Sequence, residues 1–203
     1  MLEALLQLDT DLFRWVNGHH NTVLDWVMWT LSQHWCWAIV LIPSIAWLMI
    51  YEKKHKKDST LNTQHSTLIW LVPPAILLCF LLADQGSVHL FKDTVCRLRP
   101  CHALDDVRMF RTNCGGQYGF VSSHAANAFA IVTLLWMRYR KMCKTGVILL
   151  IIWALLTSYS RAYLGKHYPG DLVCGALFGV VVGMLVWGVV YFFEKKFKKC
   201  ETK

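Results

Sequence analysis

The sequence predicts an all-α fold, a polytopic membrane helix bundle with about five transmembrane helices and an N-terminal helix at the membrane interface. Of the 203 residues, 55% are hydrophobic and only 17% are charged, which lies outside the range of ordinary soluble domains. Several apolar segments approach the ~20 residues that a helix needs to cross a bilayer. Lysine and arginine outnumber aspartate and glutamate, which gives a net charge of +8, and they cluster in short runs beside those segments. We expect a single membrane-embedded domain over residues 1–203.

Residues 1–20 predict an amphipathic helix that lies in the outer interface and does not cross the membrane. Its apolar stripe faces away from Asp9 and Asp11. Because acidic residues occur this early and no basic head precedes an apolar run, we expect no cleaved signal peptide. The residues of the stripe are Leu2, Leu5, Leu6, Leu12, Phe13 and Val16.

Five segments are apolar enough to span a membrane. Small residues recur on two of them, which predicts that these two helices approach their neighbours closely. The spans are residues 30–51, 66–84, 120–138, 145–161 and 171–193, and the small residues are Gly175, Gly179, Gly183, Ala125, Ala126, Ala128 and Ala130.

The basic runs indicate which way the spans point, because cytoplasmic flanks carry an excess of lysine and arginine. All of the runs fit one topology, in which residues 85–119, residues 162–170 and the amino terminus lie outside. Such local runs do not indicate nucleic-acid binding. We also expect no obligatory protein partner. The runs are Lys53, Lys54, Lys56 and Lys57, then residues 138–144, and finally residues 195–199.

Ionisable residues collect at the outer ends of four spans, where they are costly enough to count as candidates for a site. Lys92 and Arg99 precede Pro100 and would share one helical face if the second span continued as a helix. Two cations suit a dianionic phosphate, although either residue alone fits an interfacial role. We give that interfacial interpretation to Arg97, Arg108, Arg111, His102 and Lys166. The candidates are Lys92, Arg99, His124, Arg161, His167 and Asp171.

Two further segments add features of an anion site. A glycine-containing loop runs into Ser122 and Ser123, where free N–H groups and hydroxyls would bind an anion, and helix capping is a compatible role. Asp171 follows His167 by four residues and could accept the Nδ1–H, which leaves Nε2 free to attack. A metal site is the competing use of these histidines, but nearby cations would repel a divalent ion. We therefore expect metal-independent chemistry without a cofactor.

These residues resemble the signature of the type 2 phosphatidic acid phosphatase superfamily. Its first part, Lys-x6-Arg-Pro, matches residues 92–100, and its third, Ser-Arg-x5-His-x3-Asp, matches residues 160–171. The second part, Pro-Ser-Gly-His, reads Val121-Ser122-Ser123-His124 here and so departs from the pattern. The matched region covers residues 84–175.

The resemblance implies a membrane lipid phosphatase that acts through a phosphohistidine. By it, His167 is the nucleophile, Asp171 orients it, and His124 is the general acid and base. The phosphate would be bound by Lys92, Arg99, Arg161 and the segment around Ser122 and Ser123.

The resemblance offers several phosphorylated lipids as substrates, and a bacterial inner membrane with the site on its periplasmic face. We place undecaprenyl diphosphate first and lipid A close behind, followed by phosphatidylglycerol phosphate and phosphatidate. The alternative from another class is a lipid-binding flippase or scaffold, which would have no need of His124, His167 and Asp171 together. Cys101 and Cys114 lie in an outer loop and are our candidates for a disulfide.

Overall fold

A computed structural model of the chain describes residues 2–55 and 69–201. A 3-10 turn, Ile69–Leu71, precedes the fourth helix, and a π-helical turn, Ser87–Lys92, follows it. No strand occurs within the described ranges, which confirms the all-α fold class. In chain order the helices are α1 (Leu2–Gly18), α2 (Thr22–Leu31), α3 (His34–His55), α4 (Val72–Gly86), α5 (Asp93–Val95), α6 (Pro100–Ala103), α7 (Ser123–Tyr139), α8 (Lys144–Tyr163) and α9 (Pro169–Glu201).

Among the described residues, four helical segments are long and apolar enough to cross a membrane: His34–Lys54, Ile69–Val95, Lys144–Tyr163 and Pro169–Phe197. They correspond to the first, second, fourth and fifth predicted spans. The third predicted span is α7, which has 17 residues and is largely buried by its neighbours. The start of the second predicted span, residues 66–68, lies outside the described residues, as do Lys56 and Lys57.

The predicted close packing of small residues is confirmed between α7 and α9. A Cβ atom added to Gly175 would lie 2.6 Å from the carbonyl oxygen of Ser122, and one added to Gly183 would lie 2.5 Å from that of Ala130. Only a residue without a side chain lets the two backbones approach this far. The pair of helices holds the amino-terminal ends of α7 and α9 side by side.

The N-terminal helix divides its apolar stripe between the bundle and the surroundings. Phe13 and Val16 are buried, and the ring of Phe13 lies 5.5 Å from that of Tyr168. Leu5 and Leu12 are exposed, as expected for a helix whose outer face meets the membrane interface. After it, α2 forms a separate short helix that the sequence reading did not predict. The first span therefore begins at His34 and not at residue 30.

Arg138, the first residue of the second basic run, is buried in an ion-pair cluster. Its guanidinium donates to Glu52 of α3 at 2.8 Å and to Glu194 of α9 at 2.5 Å. Both carboxylates come from neighbouring helices, and their presence beside residue 138 could not be read from the local basic run. The cluster joins α3, α7 and α9 at the ends of these helices that lie away from His34, Ser123 and Pro169.

Candidate active site

A cavity of about 260 Å³ lies where α3, α7 and the α8–α9 connection meet the carboxyl-terminal end of the second span. Most of the residues predicted for the site line this one cavity. The remaining walls come from polar and aromatic side chains of α3, α4 and α7 and from Val88 of the π-helical turn. The predicted residues in its wall are Lys92, Arg99, Ser123, His124, Arg161 and His167.

Lys92 enters the cavity from the π-helical turn that follows α4 and leads into α5. Its ammonium group donates a hydrogen bond to the hydroxyl of Ser123 at 2.6 Å. That hydroxyl lies 2.5 Å from the hydroxyl of Ser87, a fully buried residue of the same turn. Lys92 is therefore held against the first residue of α7, where an anion would also meet free backbone N–H groups.

Arg99 reaches the cavity from a loop, so the interpretation that it shares a helical face with Lys92 is wrong. The helix ends at Val95 because Cys96 adopts a left-handed backbone conformation with φ of 51°. The loop is then fixed by the backbone N–H of Arg99, which donates to the carbonyl of Gln117 at 3.1 Å. This pairing turns the guanidinium of Arg99 toward His167, whose Nε2 lies 3.4 Å from Nη1.

His167 and Asp171 are both buried, at 2% and 0% exposure. Nδ1 of His167 lies 3.6 Å from Oδ2 of Asp171, which is longer than a hydrogen bond. The carboxylate instead accepts from the backbone N–H of Tyr168 at 3.0 Å and from Arg97 at 2.9 Å. Asp171 thus lies outside the cavity wall, behind the imidazole, in a position fixed by its other partners.

The imidazole of His167 is neutral at neutral pH. Burial lowers its pKa well below the usual value of 6.5, and the neighbouring cations, Arg99 first, act in the same direction. A neutral imidazole keeps the lone pair on one ring nitrogen available for attack on an electrophile. The structure therefore places an imidazole that could act as a nucleophile beside cations that would neutralise the charge of a phosphate.

Arg161 and His124 complete the cavity. Arg161 is 5% exposed, and its Nε has no hydrogen-bond partner among the described residues. Since a buried guanidinium donor without an acceptor is costly, this group fits a site that receives anionic oxygens. The ring of His124 packs 5.5 Å from that of His34 and 5.7 Å from that of Trp37.

Ser122 does not line the cavity, in contrast to Ser123. It is fully buried, and its hydroxyl accepts from the backbone N–H of Ala125 at 3.5 Å, the position of a helix cap. Its own N–H donates to the carbonyl of Asp171 at 3.0 Å, so its role in the structure is to join α7 to α9. Cys101 and Cys114 are joined as a disulfide in the loop beside the site.

The sequence reading missed Arg97, which it treated as an interfacial cation. Its guanidinium bridges Asp171 and Asp9 of α1 at 2.9 and 2.7 Å and lies 4.0 Å from the centre of the Tyr168 ring. Its partners are 74 and 88 residues away in the chain, so no local pattern signals them. His34 was also missed, although a histidine at the end of an apolar span is itself a signal.

The chain matches the family model described as the PAP2 superfamily over residues 73–195. It is 33% identical to a lipid A 4'-phosphatase of Bacteroides thetaiotaomicron over 94% of this chain and 80% of that protein. It is 27% identical to the undecaprenyl-diphosphatase BcrC of Bacillus subtilis over 88% of this chain and 82% of that protein. The fold resembles the crystal structure of a transmembrane PAP2-type phosphatidylglycerolphosphate phosphatase from Bacillus subtilis, with a TM-score of 0.65, 22% identity, and 95% and 87% of the two chains covered. From the matched family model and these relatives, the chain belongs to the PAP2 superfamily and is an integral membrane phosphatase.

Proposed function

We propose that this protein removes phosphate from a phosphorylated lipid at the outer face of a bacterial inner membrane, through a phosphohistidine and without a metal ion. The observation that carries the proposal is one cavity that joins three histidines to three cations at the end of a bundle of membrane-spanning helices. A lipid headgroup can reach such a cavity sideways from the bilayer while its chains stay in the hydrocarbon.

In the first step, Nε2 of His167 attacks the phosphorus, an N–P bond forms, and the P–O bond to the lipid breaks. His124 gives its proton to the departing lipid oxygen. In the second step, His124 removes a proton from water, the water oxygen attacks phosphorus, and the N–P bond breaks to release phosphate. Lys92, Arg99 and Arg161 stabilise the charge on the phosphoryl oxygens throughout.

The order of the substrate candidates changes from the one that the sequence favoured. The sequence alone favours undecaprenyl diphosphate, but the identity to a lipid A 4'-phosphatase is higher than the identity to an undecaprenyl-diphosphatase and extends over more of the chain. We therefore place a lipid A phosphate first and undecaprenyl diphosphate second. Both have an oxygen–phosphorus bond that the same two steps would break.

The test compares the wild type with His167→Ala, purified in detergent, on lipid A, undecaprenyl diphosphate, phosphatidylglycerol phosphate and phosphatidate. A chelator is present throughout. His102→Ala is the matched control, because His102 is an exposed histidine of the short helix α6 nearby. We expect phosphate release and an acid-labile phosphoryl label with the wild type and with the control, and neither release nor label with His167→Ala.

Two outcomes would contradict this proposal. Full activity of His167→Ala would rule out the phosphohistidine, and activity that disappears with chelator and returns with a divalent ion would rule out the metal-independent reaction. If the wild type released phosphate from none of the lipids, the flippase or scaffold alternative would take the place of the enzyme.

A further inference from the structure

A second cavity adjoins the first on the side of the outer loops. It measures about 460 Å³, within the ~300–1,000 Å³ typical of small-molecule sites. His34 and Arg161 line both cavities, so the two are neighbours with a common wall. The described residues that line the second cavity include the cations Arg111 and Lys166 and no carboxylate. Its charge therefore favours an anion.

Arg111 is held in place by several independent contacts. Its backbone has φ of 47°, a left-handed conformation that is costly for a residue with a side chain. The indole N–H of Trp29 donates to its carbonyl at 3.1 Å, and the guanidinium lies 4.7 Å from the centre of the Trp26 ring. A surface arginine with no binding role would gain nothing from this unfavourable left-handed backbone conformation. These contacts therefore indicate a side chain positioned for binding.

Lys166 faces the same cavity from the opposite segment, between α8 and α9. Its backbone N–H donates to the carbonyl of Arg161 at 2.9 Å, which fixes the turn. Burial, with Arg161 and Arg99 acting in the same direction, lowers the pKa of Lys166 to about 8. An anion placed between these groups would relieve their mutual repulsion.

The reaction cavity also adjoins an apolar groove of a size and polarity suited to lipid chains. This groove of about 340 Å³ between α3 and α4 shares Trp37 and Phe80 with the reaction cavity. The reaction cavity thus has an apolar neighbour on one side and a cationic neighbour on another. A substrate that occupies the reaction cavity, the apolar groove and the second cavity would carry its chains and a second charged group on different sides of the reacting phosphate.

We propose that the second cavity binds a second anionic group, a phosphate or a carboxylate, on the headgroup of the same lipid. This inference rests on the proposed function and narrows its substrate class to lipids with a large, multiply charged headgroup. A simple glycerolipid such as phosphatidate has no group to place there. Arg111, Lys166 and the shared Arg161 are the residues that would bind it.

The test measures kcat and KM of Arg111→Gln, Lys166→Gln and Arg111→Lys on three lipids: lipid A with two phosphates, lipid A with the 4'-phosphate alone, and phosphatidate. Lys141→Gln is the control, an exposed lysine between α7 and α8. We expect either glutamine variant to raise KM for the bisphosphate about tenfold relative to KM for the monophosphate, the loss of ~1.4 kcal/mol of binding. We expect kcat to stay close to the wild type, and Arg111→Lys to recover part of the effect.

An equal change of KM on all three lipids would overturn this inference while leaving the phosphatase intact. Inorganic phosphate, added as an inhibitor, distinguishes the source of the anion. If Arg111→Gln weakens inhibition by free phosphate as strongly as it weakens the bisphosphate lipid, the cavity holds free phosphate and the headgroup assignment is wrong. Unchanged inhibition supports the headgroup. A wild type that is inactive on every lipid would instead refute the proposed function.

Discussion

Replacement of Gly175 by alanine should separate the two helices that carry the candidate active site. Its Cβ would lie 2.6 Å from the carbonyl oxygen of Ser122, whereas ordinary contacts begin at 3.4 Å, so the backbones must part by about 0.8 Å. Overpacking of this kind costs ~1–3 kcal/mol. Gly175 lies one turn after Asp171, so the shift moves the α9 end of the site away from the α7 end. A displacement near 1 Å can cost ~10²-fold in rate.

Gly188→Ala is the matched control, since it lies on the same helix and nothing lies within 4 Å of its added Cβ. Alanine there should stabilise the helix by roughly 0.5–1 kcal/mol because it restricts the unfolded chain and favours helix. Thermal inactivation in detergent and kcat of both variants are the measurements. If Gly175→Ala matched Gly188→Ala in both, the close contact would not limit the geometry of the site, and this reasoning would fail.

Three further predictions concern pH and buried charge. Because the pKa of His167 is lowered, the acid-side loss of kcat/KM should occur at a pH below 6.5. Arg99→Gln should raise this pKa and move the acidic limb of the pH profile to higher pH, and an unmoved limb would contradict the prediction. Arg138→Met should cost roughly 3–5 kcal/mol of unfolding free energy, since two buried carboxylates lose their guanidinium, and an unchanged thermal inactivation temperature would argue against it. The hydrogen bond from Arg108 lowers the pKa of Asp25 in the folded protein below its usual value of 3.8. The ionised carboxylate therefore contributes its full stabilisation above pH 3.8, and this contribution is lost as the pH falls through the folded-state pKa. Asp25→Asn should therefore flatten the acid dependence of unfolding in that range, and an unaltered dependence would count against the pair.

The features that the sequence predicted well are those carried by local pattern. The spans follow from runs of apolar residues, and the approach of α7 and α9 follows from glycines at four-residue spacing. His124 and His167 line one cavity because α7 begins at the end of the bundle where α8 ends and α9 begins.

The features that escaped prediction depend on distant partners or on a single backbone angle. Cys96 ends a helix in a left-handed conformation without a glycine or asparagine to signal it, so the route of Arg99 could not be foreseen. Arg138 belongs to a basic run and Glu52 lies beside another, and only tertiary structure brings the two together. The same is true of Arg97, whose acidic partners lie on α1 and α9.

The bridge from Asp9 through Arg97 to Asp171 links α1 to the surroundings of His167. The outer face of this helix presents exposed leucines, which detergent or lipid would cover. Whatever shifts or tilts α1, whether micelle curvature, bilayer thickness or a fusion partner at the amino terminus, acts on the carboxylate behind His167 through Arg97 and through the Gly170 N–H, which donates to Asp9 at 2.7 Å. Rates measured in detergent and in a bilayer can therefore differ because α1 has different surroundings in each. Substrates should be compared within a single environment.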